Sequence, residues 1–246
     1  MFVYQIKVEY LGTGFVGWQI QKNGLSIQEV LEKALSKFFK KKIAIVGSGR
    51  TDAGVHATEQ SAHFKVKKLI LNKNATINSL NFFLNKYSIS ILDIKKKKQN
   101  FHARHSAKER TYKYIIINRA GSLVIEKNKA WHIRKKINIK LMKRGASLLK
   151  GTHDFSTFRA SSCAANSPIR TIKNITIKKS KNRIIFTFIS KSFLQQQVRS
   201  MVGCLKYLGE AKWSLPYFKK VFLSKKRSMC ASPAPPCGLY LSKVVY

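Results

Sequence analysis

From Phe2 to Ile94 the apolar positions switch between a period of two and a helical period in a fixed order, and few folds accept that order. Phe2–Tyr10 alternates apolar and polar residues, which predicts a half-buried strand. Ser26–Phe39 places Ile27, Val30, Leu31, Ala34, Leu35, Phe38 and Phe39 on one helical face, behind a Ser26/Glu29 capping box. Ile43–Val46 predicts a short strand, His56–Val66 a longer one, Ala75–Leu84 a second helix and Ser88–Ile94 a closing strand. The order is βαββαβ.

The rest of the chain repeats that order without repeating its sequence. Thr111–Asn118 predicts a strand and Ile139–Leu149 a helix. Arg170–Lys178 and Arg183–Ser190 pair as a hairpin, Leu194–Leu208 is an amphipathic helix, and Leu239–Val245 a last strand. Ser214–Leu223 reads as a short helical insertion and Ser232–Cys237 as a proline-rich turn. The expectation is an α+β protein of two ferredoxin-like or RRM-like (βαββαβ) halves with antiparallel sheets. The Lys95–Lys98 run marks the boundary, giving halves 1-105 and 106-246.

Charge narrows the partner. The chain has 246 residues with 48 Lys+Arg against 10 Asp+Glu, a net charge of +38 that favours a polyanion, above all nucleic acid. Lysine-rich composition also follows from AT-rich coding and accounts for part of the excess. No apolar run is long enough for a membrane-spanning helix, and the N-terminus lacks a signal-peptide pattern, so a cytoplasmic protein with no membrane partner is expected. Cys163, Cys204, Cys230 and Cys237 form no C-x-x-C pair and no histidine cluster joins them, so free thiols are expected rather than a metal site.

Carboxylate chemistry has few candidates, because the only aspartates are Asp52, Asp93 and Asp154. Asp93 reads as a surface charge among lysines, and Asp154 as a turn or helix cap. Asp52 lies in Gly47-Ser48-Gly49-Arg50-Thr51-Asp52-Ala53-Gly54-Val55-His56. The glycines are not those of a phosphate loop, since Val55 rather than lysine follows Gly54 and Asp52 stands where a dinucleotide fingerprint needs glycine. An Asx turn explains the aspartate alone. A carboxylate acting as nucleophile or base toward a sugar carbon explains it together with its company of Arg50, Thr51, Gly54 and His56. Arg50, or Arg199 on the 194–208 helix, is a candidate cation to keep it ionised. Tyr112 is a candidate platform for an unstacked base, or a sheet-packing residue like Tyr114. The Tyr10–Gln19 loop, with three glycines and three aromatics, reads equally as a clamped structural turn or a groove lining.

The chain resembles the tRNA pseudouridine synthase A family. The resemblance rests on Tyr10-x-Gly-x-x-Phe-x-Gly-Trp-Gln19, Ser26-Ile27-Gln28, Gly49-Arg-Thr-Asp-Ala-Gly-Val-His-Ala57, Phe101-His-Ala-Arg104 with Ser106-Ala107, and Arg110-x-Tyr112-x-Tyr114. It continues through His153-Asp-Phe-x-x-Phe158, Val198-Arg199 with Gly203, and Gly238-Leu-x-Leu241. These occur in family order along nearly the whole chain.

The resemblance implies two RRM-like halves whose sheets join across a central active-site cleft. It implies conversion of uridine to pseudouridine at positions 38, 39 and 40 of the tRNA anticodon stem-loop, by a homodimer that needs neither metal nor organic cofactor. Asp52 matches the essential aspartate, acting on C1′ as nucleophile or on the C2′ proton as base. Tyr112 matches the residue stacked on the target base, Arg199 the arginine paired with the carboxylate, and Arg50 one that helps displace the base. Arg104 and Leu241 fall in motifs expected to bind substrate. Four departures stand out: Ser48 for the usual Ala, Leu11 for a common Asp, His105 for a frequent Phe, and Gln195-Gln196-Gln197 for a more hydrophobic run. A non-catalytic RNA binder and a glycosidase are the competing readings. The first has no use for a carboxylate facing phosphates, and a retaining glycosidase needs a second carboxylate close by.

Overall fold

The computed structural model describes residues 1–246. It forms two compact units, Met1–Lys108 with Tyr240–Tyr246, and Glu109–Leu239. The boundary therefore falls beyond the 95–98 lysine run, and the last strand joins the first unit rather than staying with residues 106-246.

In the first unit the strand order is β4 (Ile89–Lys97), β1 (Phe2–Tyr10), β3 (His56–Val66) and β10 (Leu239–Val245), with β2 (Val46–Gly47) paired to β3. β1 runs antiparallel to β3 and β4, and β10 is parallel to β3. Alternation along β1 works as expected. Tyr4 stacks on Phe64, which meets Phe39 of α1 (Ile27–Phe39), so the even positions of β1 face the helix. The odd positions carry polar pairs, Gln5 with Ser61 and Lys7 with Glu59. α2 (Lys73–Leu84) begins at Asn72, whose side chain accepts from the Ala75 N–H.

Two expectations for this unit are corrected. Ile43–Val46 is not a strand over its length, although Ile43 and Ile45 are buried. The Ile43 N–H goes to Ser36 Oγ and the Ile45 N–H to the Glu32 carboxylate, so side chains of α1 take the donors a ladder would use. Nor does the lysine run mark the boundary between the units. Lys95, Lys96 and Lys97 end β4 and pair with Gln5, Tyr4 and Val3. Asp93 holds ion pairs with Lys73 and Lys95, the surface role expected of it.

In the second unit β5 (Glu109–Asn118), β9 (Arg183–Ser190), β8 (Ile169–Ser180) and β7 (Gly151–Asp154) are antiparallel neighbours in that order, with β6 (Trp131–Ile133) parallel to β5. α3 (Ile139–Leu148), α4 (Gln197–Gly209) and α5 (Leu215–Leu223) complete it. Gly145 of α3 is where the helices press together: a Cβ there would stand 2.4 Å from Leu208 and 3.1 Å from Leu205. The Gly151–Phe158 stretch folds over Phe222, which lies against Phe155, Phe158 and His153. Asp154 accepts from the Ser156 N–H at 2.8 Å, a turn cap. β6 and β7 are too short to show a period and were not expected.

Candidate functional site

The Asp52 loop is held by its neighbours in the first unit rather than left flexible. Within it, the Val55 N–H donates to the Asp52 carbonyl at 3.1 Å and Gly54 sits at φ +73°, the sign pattern of a type II turn. Ahead of the turn, Ser48 N–H bonds Ser61 O at 2.7 Å, Ser48 Oγ donates to Gln60 Oε1, and Gln60 Nε2 donates to Gly49 O. Ser48, the departure from the usual Ala, thus adds a buried hydrogen bond to the loop.

The Tyr10–Gln19 loop supplies the other clamp. Trp18 N–H donates to Thr51 O at 3.0 Å, Tyr10 Oη meets Thr51 Oγ1 at 2.8 Å, and Gly17 bridges Asp52. His56 Nδ1 accepts from Gly12 N–H at 2.8 Å. Two glycines are required here by contact. A Cβ on Gly12 would lie 2.0 Å from Val55 O. Gly17, at φ +116°, would meet Thr51 O at 2.7 Å. Of the two readings of this loop, the clamped turn accounts for its glycines and aromatics. The result is a half-exposed Asp52 on a fixed backbone beside an exposed Arg50.

Arg104 is exposed on the turn after Phe101, while Leu241 is fully buried in β10, in register with Ala57. Leu241 therefore acts as packing behind the start of β3.

The remaining candidates are in the second unit. Tyr112, 8% exposed on β5, meets Phe193 edge-on with ring centroids 5.2 Å apart. Tyr114 is the packing tyrosine: it is fully buried, its hydroxyl donates to Pro235 O at 2.8 Å, and burial pushes its phenol well above the ordinary range. Arg199 is half-buried near the start of α4. Its Nε donates to Ala234 O at 2.8 Å and its own carbonyl accepts from Ala234 N–H at 3.0 Å. The neighbouring Gly203 admits Ser232 O to within 2.2 Å of where a Cβ would be. The guanidinium is thus fastened to the 232–235 backbone and is no snorkelling surface group. Arg110, in the same motif as Tyr112, is buried and caps the Lys191 carbonyl.

The glutamine run reshapes the entry to α4. Gln196 takes φ +59° and Gln197 Oε1 accepts from Leu194 N–H at 2.8 Å, so the helix starts at Gln197, three residues later than its periodicity suggests. All four cysteines are free thiols, with Cys204 Sγ and Cys230 Sγ 3.4 Å apart. No three His, Cys, Asp or Glu side chains are grouped to hold a metal ion.

A sequence profile described as tRNA pseudouridine synthase matches residues 6–115 and 146–246. The chain belongs to the tRNA pseudouridine synthase family. Among its relatives, a protein of Pelagibacter ubique (strain HTCC1062) named tRNA pseudouridine synthase A is 59% identical over 246 residues, covering all of both chains. Namesakes from Ehrlichia canis (strain Jake) and Neorickettsia sennetsu (strain ATCC VR-367 / Miyayama) are 43% and 42% identical, each over 99% of both chains. The family's motifs lie on the elements just described. Asp52 tops the clamped turn, Tyr112 is on β5 and Arg199 on α4. His56 and Tyr10, which fall in the quoted motifs, and Gln60, which does not, hold the loop without touching its tip. The signal for Gln60 is a buried polar residue inside a strand, legible only once its partners are known.

Proposed function

We propose that this chain isomerises uridine to pseudouridine at positions 38, 39 and 40 of the tRNA anticodon stem-loop, with the Asp52 carboxylate acting at the target ribose. The activity class comes with the family. The observation that carries the residue assignment is the clamp on Asp52: backbone bonds from Trp18 and Val55, side-chain bonds through Thr51, and glycine contacts at Gly12 and Gly17. A carboxylate on a surface loop with no task needs no such restraint.

In the reaction the N1–C1′ bond breaks, the uracil turns over, and C5 bonds to C1′ while the C5 proton moves to solvent and N1 regains one. Asp52 starts it as nucleophile at C1′ or as base at C2′. Tyr112 offers a ring on which the extruded base stacks, and its hydroxyl is the proposed acceptor of the C5 proton. Arg199, its direction fixed by Ala234, is the cation for the reaction, and the exposed Arg50 helps part the target base from its stack. Arg104 contacts the RNA backbone. The enzyme acts as a homodimer in the cytoplasm, with tRNA as its partner.

The test is incubation of the purified protein with an anticodon stem-loop RNA, followed by mapping of pseudouridine. Asp52→Asn should give no product while holding tRNA affinity within about tenfold, or about 1.4 kcal/mol. Turnover by that variant would remove Asp52 from the mechanism.

A further inference from the structure

The turn that presents Arg104 spends an unusual share of its hydrogen bonds on imidazole. Every backbone N–H from His102 to Ser106 has a partner: His102 N–H goes to Ser106 Oγ, Ala103 N–H to His63 Nδ1 at 3.1 Å, and Arg104 N–H to His102 Nδ1 at 3.2 Å. His105 N–H goes to the same His102 Nδ1 at 3.3 Å, and Ser106 N–H to His102 O at 2.8 Å. Three of the five donors therefore end on a ring nitrogen that accepts only when it carries no proton. The rings are in contact in series. His63 and His102 have centroids 5.1 Å apart, and His102 and His105 4.3 Å apart.

We infer that His102, backed by His63, is the positioning residue for Arg104: its unprotonated Nδ1 holds the Arg104 and His105 amides and so aims the exposed guanidinium at RNA. Proton uptake at Nδ1 turns the acceptor into a donor facing two N–H groups, and the turn then opens. The groups around His102 reinforce the neutral form. They are His63 from β3, His105 and Arg104 from the turn, and Lys65 from β3. None of these is a carboxylate. Burial first, then His105, holds His102 below the ordinary imidazole range, and burial holds His63 lower still, at about 4.

The inference rests on Arg104 touching RNA, and the experiment separates the two. Binding of an anticodon stem-loop RNA is measured at pH 7.5 and pH 5 for the full chain and for Arg104→Ala, His102→Phe, His102→Asn and the double variant Arg104→Ala/His102→Phe. At pH 7.5, Arg104→Ala and His102→Phe should each weaken binding about five- to tenfold, and the double variant no further, since both remove one contact. His102→Asn, whose Oδ1 accepts without titrating, should bind like the unaltered chain at pH 7.5 and lose less affinity at pH 5. If Arg104→Ala binds normally, Arg104 is not an RNA contact and the inference falls with that reading. If Arg104→Ala is weak but His102→Phe binds normally, or the two losses multiply, only the positioning role is overturned. Should His102→Phe not fold, the His102→Asn pH profile decides alone: an acid loss equal to that of the unaltered chain refutes the role.

Discussion

At the residue scale, small contacts hold the candidate chemistry in place. Replacing Gly17 by Ala forces a Cβ to within 2.7 Å of Thr51 O at a backbone angle disfavoured for L residues, and Gly17 bridges Asp52 itself. Gly17→Ala should cost roughly 1–3 kcal/mol of stability and lower kcat more than it raises KM, checked by thermal melts and steady-state pseudouridine formation. Tyr112→Phe keeps the ring and its edge contact with Phe193, so RNA affinity should hold while any fall in rate reports on the hydroxyl. Undiminished turnover in that variant would exclude proton removal by Tyr112. His63 adds a pH dependence of its own. Its folded imidazole is pushed from 6.5 down to about 4 by burial, so in that window the unfolded chain binds a proton that the folded one refuses. The stability this group contributes is complete above pH 6.5 and is lost as pH falls toward 4. The melting temperature of His63→Asn should therefore decline less between pH 7 and 4 than that of the unaltered chain.

At the level of elements, periodicity revealed most of the architecture and failed where side chains compete with the ladder. β1, β3 and β9 lie where alternation predicts them, because one face of each is buried and the other polar or half-covered. The 43–46 stretch looked like a strand by composition, yet Glu32 and Ser36 had already claimed its donors. The beginning of α4 looked helical from Leu194, yet Gln197 turns back to cap Leu194 N–H. Neither competition leaves a trace in hydropathy. The candidate site was legible through its motif, whereas the bonds that support it were not: Thr51 and Tyr10 are 41 residues apart, beyond any local pattern. α4 also carries a prediction. Gly203→Ala would drive a Cβ into Ser232 O and lift the helix from the segment whose Ala234 carbonyl fixes Arg199. Activity should fall by about tenfold or more with RNA affinity less affected, and a variant with unchanged kcat would show that this anchor does not matter.

Across the whole molecule, 48 cationic side chains against 10 acidic ones make association with RNA a problem of counterions. If six to ten phosphates are contacted, affinity for tRNA should fall roughly 10³- to 10⁵-fold between 50 and 200 mM salt, measured by filter binding or anisotropy. The same field acts on any RNA, so selectivity for tRNA over an unrelated RNA should widen as salt is raised. Equal losses of both across the titration would instead place recognition of tRNA in the charge itself.

The placement of the last strand also bears on how the protein is made. Tyr240 and Leu241 pair with His56 and Ala57, Val245 O receives Lys108 N–H, and Tyr246 Oη donates to Ser61 and Ala103. A ribosome therefore delivers the Asp52 loop early but withholds one strand of its sheet until the rest of the chain has been synthesised. During that interval the start of β3 lacks its β10 partner and is exposed to chaperones, proteases and other nascent chains, while the second unit is still being made. The sheet of the first unit is thus completed only after residues 109–239 have been made.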